Sequence, residues 1–339
     1  MQSNQIISSK SDKRVYKHIV LPNQLQCLLI QDDEADKSAA ALDVNVGCSL
    51  DVKPLFGTAH FLEHMLFMGT KKYPSENEYS EYIKNNGGYN NAFTSLTNTN
   101  YHFECSNEGF EGALDRFAQF FIAPLLGDSQ TEREMNAVDS EYNMSLQSDA
   151  WRKFMLIQTT AHEESTLHRF NCGNLESLKQ EGIRESLLKF HSTWYSSNIM
   201  KLVVTGKHSI ETLEKWAVEM FSAVENKNVV RPDLGAPVKP YSAENLSQFA
   251  RYKPVQDKDQ LEIYWILPYC EKEYRTKPLN YFSHLFGHEG ENSLLSYLKE
   301  EGLAMELSAG GDHELGVFSD FVVQITLTKK GLENYEAVA

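Results

Sequence analysis

With 339 residues, 41% of them apolar, the chain can bury two cores of ordinary size, whereas a single domain of that length would be unusually large. Its formal net charge of −15 at pH 7 argues against nucleic acid as a partner, because phosphate binding needs clustered Lys and Arg, and against an anionic membrane surface for the same reason. Apolar runs are broken by charge short of the ~20 residues that cross a bilayer, residues 1–17 hold no apolar signal core, and five scattered cysteines lack any Cys-x-x-Cys spacing. Neither a disulfide framework nor a thiolate metal site follows, so the expectation is a protein of a reducing compartment, best the cytosol, with a mitochondrial or peroxisomal pool also compatible.

Residues 1–14 are polar and read as a disordered N-terminus. Residues 16–31 read as two strands around the turn Pro22-Asn23-Gln24, and residues 39–50 alternate like a third. Residues 57–68 are apolar almost all round, which predicts a buried helix. Residues 75–86 open with a capping-box spacing, Ser75 to Glu78, and close at Gly87-Gly88. A strand pair follows at 92–95 and 100–105. Apolar residues recur at helical spacing over 110–122 and stop at Pro124, and 131–158 reads as one long helix without Gly or Pro. A helix at 185–195, a strand at 200–205 and an amphipathic helix at 210–224 complete a first domain, 15–228.

Residues 229–245, with Pro232, Pro237 and Pro240, read as a linker. A second domain, 246–339, offers strands at 261–267 and 317–327 and helices at 277–285 and 293–301. A new helix begins as the sequence stops at Ala339, which suggests a truncated second domain. Mixed strands and helices without strict alternation predict an α+β fold, with antiparallel or mixed sheet and packed helices in each domain.

The chemistry concentrates in His60-Phe61-Leu62-Glu63-His64. Residues four apart on a helix share a face, so both imidazoles can reach one ion, and Glu63 lies beside them. This suits zinc, which takes neutral imidazole nitrogens and keeps a position open in catalytic sites, with Glu63 placed to act as general base. Two core histidines and a solvated carboxylate would be the plain alternative, but burying three polar groups without a shared partner costs several kcal/mol. A catalytic zinc needs a third protein ligand, commonly a carboxylate. On the helix from Thr131, Glu134 and Glu141 are two turns apart and share a face, while Glu132 and Asp139 turn away. Spacing leaves open which of Glu134 and Glu141 ligates and which orients.

The segment His60-Phe-Leu-Glu-His64-Met-Leu-Phe-Met-Gly-Thr70, the run Asn91-Ala-Phe-Thr94, the stretch 111–121 and Asn136-Ala-Val-Asp-Ser-Glu141 closely resemble the insulysin branch of the inverted-zincin, pitrilysin-type (M16) peptidases. The likeness continues through Asp149-Ala-Trp151 and Gly287-His-Glu-Gly290 and covers nearly the whole chain. It implies a zinc metalloendopeptidase acting on small to medium peptides, with one Zn²⁺ per chain held by His60, His64 and Glu141, with Glu63 as base and Glu134 as an acidic helper. The same resemblance makes the backbone of Asn91, Ala92 and Phe93 an edge strand for an extended substrate and places Phe67, Phe93, Trp151 and Phe154 around a subsite near the metal. It also makes Ala309 and Gly310 part of a strand that anchors the substrate's N-terminus. Relatives of this kind close a second half over the site, so the resemblance implies a C-terminal half or a homo-oligomeric partner. Without one, the competing expectation is a weak or inactive half-enzyme that binds peptides or regulates. Tyr89 stands where the family has small residues and is expected to reshape the cleft.

Overall fold

In the computed structural model, which describes residues 6–233, 239–314 and 318–339, the chain divides into two compact units. One comprises Met1–Tyr142 and Phe170–Pro232, the other Asn143–Arg169 and Asp233–Ala339. Residues 1–5 of the expected disordered N-terminus, Pro237 of the expected linker and Val317 lie outside the described residues. Residues 6–14 form no strand or helix, although the Asp12 carboxylate accepts hydrogen bonds from Arg14 and Tyr16.

The first unit is built on a six-stranded mixed sheet. Its strands are β1 (Val15–Val20), β2 (Gln26–Gln31), β3 (Lys37–Val44), β4 (Tyr89–Thr94), β5 (Thr99–Ser106) and β6 (Met200–Gly206), in the order β1-β2-β6-β3-β5-β4. Only β2 and β6 run parallel; the other pairs are antiparallel. Strict alternation decides which face is buried. In β5 the residues Thr99, Tyr101, Phe103 and Cys105 point inward and their neighbours do not. Against that face lie α1 (Thr58–Leu66), α2 (Glu78–Asn85) and α3 (Phe110–Ile122). Tyr101 and Phe103 meet Phe121 and Phe117 edge-on, at 5.5 and 5.2 Å between ring centres, and each such ring contributes roughly 1.5–3 kcal/mol by burial. Then come α4 (Asp128–Ser145), α5 (Asp149–Thr160), the single turn α6 (Leu175–Leu178), α7 (Ile183–Trp194) and α8 (Ile210–Phe221).

The second unit holds an antiparallel sheet in the order β7-β9-β8, from β7 (Gln260–Pro268), β8 (Ala304–Glu314) and β9 (Phe318–Leu327). With these come α9 (Pro278–Phe286), α10 (Leu294–Glu300), α11 (Lys329–Glu333) and α12 (Tyr335–Val338). Leu279, Leu295, Leu298, Leu307, Phe321, Val323 and Ile325 make its core. Helix α5 belongs here, tied to β7 by a Lys153–Glu262 ion pair of 3.1 Å.

The fold is α+β, and the differences from expectation are local. The long helix at 131–158 is two: Ser148 is extended (φ −106°, ψ 122°), and the Asp149 carboxylate accepts the backbone N–H groups of Val255 and Gln256. Ser148 takes the N-cap position without a side-chain cap bond, and the break is hidden because neither Gly nor Pro marks it. The capping box at Ser75 does not form, since Asn77 takes the N-cap position and Arg116 holds the Glu78 carboxylate at 2.8 Å. The third strand ends at Val44, short of residue 50. β8 was not expected from periodicity, although the resemblance puts Ala309 and Gly310 on a strand, where they lie.

Candidate metal centre

Helix α1 starts at Gly57, whose positive φ of 91° suits a residue without Cβ. Its first amides are capped from a distance: the buried carboxylate of Asp51 accepts N–H of Gly57 at 2.7 Å and of Ala59 at 2.9 Å. A negative charge at a helix N-terminus is favourable as well as bonded. Phe61, Leu62, Met65 and Leu66 are completely buried, which fixes the helix rotation and leaves His60 and His64 on one side with their rings 4.8 Å apart.

Each imidazole has one nitrogen occupied and one free to face the cleft. His60 Nδ1–H donates to the Cys172 carbonyl at 2.6 Å, and His64 Nδ1–H donates to Glu134 Oε1 at 2.8 Å. A carbonyl can only accept, so the neutral form of His60 carries its proton on Nδ1 and presents Nε2 as a lone pair. Both Nε2 atoms converge on Glu141 Oε2 from α4, at 3.7 Å from His60 and 3.4 Å from His64. Among the described residues, His60, His64 and Glu141 are the one His/Cys/Asp/Glu group able to hold an ion, with donor atoms all within 4.8 Å of one another. A tetrahedral ion with bonds of about 2.0–2.1 Å keeps its donors about 3.3–3.4 Å apart, so the donor set fits a divalent metal such as zinc.

Electrostatics favour a cation here. Burial pushes the Glu63 carboxyl up, while His60, the Thr94 hydroxyl and His64 oppose it; Thr94, at the end of β4, donates to Glu63 Oε2 at 2.5 Å. The hydrogen bond from His64 holds the Glu141 carboxyl below the usual carboxylate range against partial burial. Burial works against charge on His64, yet Glu134 and Glu141 outweigh it and raise the imidazole to about 9. Three carboxylates around two imidazoles call for positive charge, which a proton or a divalent ion at Nε2 supplies.

The other candidates distribute differently. Asn91, Ala92 and Phe93 lie on β4, an edge of the sheet, with Phe93 53% exposed. Tyr89 opens that strand and lines a 370 Å³ cleft with Ser80, Glu81 and Lys84 of α2. Phe67 follows α1 directly and packs on Tyr79, Tyr101 and Phe120, within the aromatic cluster. Trp151 and Phe154 stand together on α5, and Ala309 and Gly310 lie in β8, all in the second unit. Asp51 and Thr94 are not visible in the sequence: a buried Asp seven residues before a helix leaves no trace in periodicity, and Thr94 is only the last residue of its strand.

Two imidazoles and a carboxylate meeting beside a buried glutamate have the donors and the neighbouring base that metal-assisted hydrolysis needs. Residues 26–164 match the family described as insulinase (peptidase family M16), and residues 182–339 match the peptidase M16 inactive domain. The chain is 45% identical to the insulin-degrading enzyme of Homo sapiens, with 99% of the chain aligned to 33% of that protein. It is 44% identical to the A-factor-processing enzyme of Saccharomyces cerevisiae, over 96% of this chain and 32% of that one. Its structure superposes on the crystal structure of pitrilysin with a TM-score of 0.92 and 32% identity, covering all of this chain and 36% of that one. The chain belongs to the M16 insulinase family of metallopeptidases. It spans about a third of the length of the curated relatives it matches, and among its described residues no helix is long and apolar enough to cross a membrane.

Proposed function

We propose that the chain carries the zinc site of a metalloendopeptidase that hydrolyses small to medium peptides, with His60, His64 and Glu141 as the ligands. The convergence of their three donor atoms within 4.8 Å carries the reading. When bound, zinc supplies Lewis acidity, which acidifies water at neutral pH and stabilises negative charge on a carbonyl oxygen. The Cys172 carbonyl and Glu134 hold the two Nδ1–H groups, so each ring keeps its tautomer and aims Nε2 at the ion. Glu63 accepts the proton of the attacking water. Thr94 holds its Oε2 at 2.5 Å, leaving Oε1 to take that proton.

Thr94 also links the base to the strand proposed to bind substrate. An extended peptide added at the free edge of β4, beside Asn91, Ala92 and Phe93, is recognised through its backbone with little dependence on sequence. Phe67, Trp151, Phe154, Ala309 and Gly310 are proposed as further substrate contacts.

A second reading rests on length. Because relatives are about three times as long, the chain is alternatively a half-enzyme that binds zinc and peptide but needs a partner half for turnover. Hydrolysis of a quenched fluorescent peptide by the purified chain, with and without chelator and beside Glu63→Gln, separates the two. Chelator-sensitive cleavage, reduced at least about a hundredfold in Glu63→Gln, supports the peptidase. One zinc per chain without turnover supports the half-enzyme, and no zinc binding refutes both.

A further inference from the structure

The two helices that carry the proposed ligands touch a common third element, the segment 170–175. On one side the Cys172 carbonyl accepts His60 Nδ1–H of α1 at 2.6 Å. On the other, the Leu175 amide donates to Asp139 Oδ1 of α4 at 2.9 Å, two residues before Glu141, and Phe170 meets Tyr142 of α4 edge-on at 5.3 Å. The carbonyl reaches His60 because two glycines cross. Gly57 (φ +91°) and Gly173 (φ +83°) approach so closely that a Cβ on Gly57 would lie 2.4 Å from Gly173 Cα and 2.7 Å from its N. The far end is held by Asn174, whose side chain caps α6 in a capping box with Ser177.

From this arrangement we infer that the segment 170–175 is a clamp that sets the distance between His60 and Glu141, with Asp139 and Gly173 as positioning residues. Neither supplies an atom to the ion. Asp139 fixes where the clamp sits on α4, and the glycine crossing fixes where its carbonyl meets α1. A ligand pair drawn from two separate helices binds an ion tightly only if their separation is set beforehand, and outer groups that orient ligands typically change metal affinity 10–100-fold.

This inference rests on the zinc reading above, and its test separates the two. Zinc affinity is measured on the whole chain by competition with a chromogenic chelator, beside the melting temperature of the metal-free chain. Asp139→Ala is expected to weaken zinc about 10–100-fold while the metal-free melting temperature changes little. Asp139→Asn keeps an acceptor oxygen for the Leu175 amide and is expected to return affinity to near the unaltered value. Gly173→Ala is expected to weaken zinc as well, and should it not fold, the Asp139 pair decides alone. If the unaltered chain binds one zinc and loses it in His60→Ala, yet Asp139→Ala binds within about twofold of it, the clamp is refuted and the ligand assignment stands. If the unaltered chain binds no zinc, the ligand assignment fails and the clamp with it.

Discussion

Asp51 offers the sharpest test of how the metal helix is held. It is 3% exposed, precedes α1 by seven residues, and its two oxygens take the N–H groups of Gly57 and Ala59. Gly57 has no side chain to cap with, so Asp51→Ala leaves two first-turn amides without their acceptor and removes a negative charge from the positive end of the helix. Losing a capping acceptor costs about 0.5–2 kcal/mol, and a buried donor left unsatisfied costs about 1–3 kcal/mol. With two donors affected, a loss of about 3 kcal/mol is expected, which corresponds to roughly a 150-fold fall in protection. Hydrogen exchange over residues 58–66 is the suitable assay, because it reads this helix and not the unfolding of a two-unit chain. Asp51→Asn keeps one oxygen acceptor and should lose about half as much. Unchanged protection of α1 in Asp51→Ala would mean that apolar burial alone fixes the helix and that the Asp51 carboxylate does not hold it.

Two further predictions follow from the same chemistry. Glu134→Gln keeps an oxygen near His64 but removes the charge, and zinc affinity measured by chelator competition is expected to fall about 10–100-fold with the ion still bound one per chain; an unchanged affinity would rule out Glu134 as the group that orients His64. His191 of α7 is held near 4 by burial and by the neighbouring Lys227, and its Nε2 is buried without a hydrogen-bond partner among the described residues. The unfolded chain therefore takes up a proton near pH 6.5 that the folded one refuses until about pH 4, so stability falls as pH is lowered through that window, by at most about 3 kcal/mol. Urea midpoints of the native chain and His191→Phe should diverge steadily between pH 7 and pH 4.5, and parallel curves would sink the assignment.

What the sequence shows and what it hides divide along one physical line. Periodicity reports which face of a segment is buried, so α3 is legible from residue 110 to 122 and the strands on either side of Pro22-Asn23-Gln24 are legible too. The His-x-x-Glu-His spacing is local in the same sense, since one helical turn brings its residues together whatever the rest of the chain does. Long-range partners leave no such trace. That the Asp149 carboxylate would find the amides of Val255 and Gln256, about a hundred residues on, cannot be read from 131–158, so a helix without Gly or Pro reads as unbroken. Asp139 shows the limit most plainly. Helical spacing turns it away from the face shared by Glu134 and Glu141, and that suggests a solvated carboxylate. In the structure it turns instead toward the Leu175 amide, so the residue excluded as a ligand by its direction gains its proposed role from that same direction.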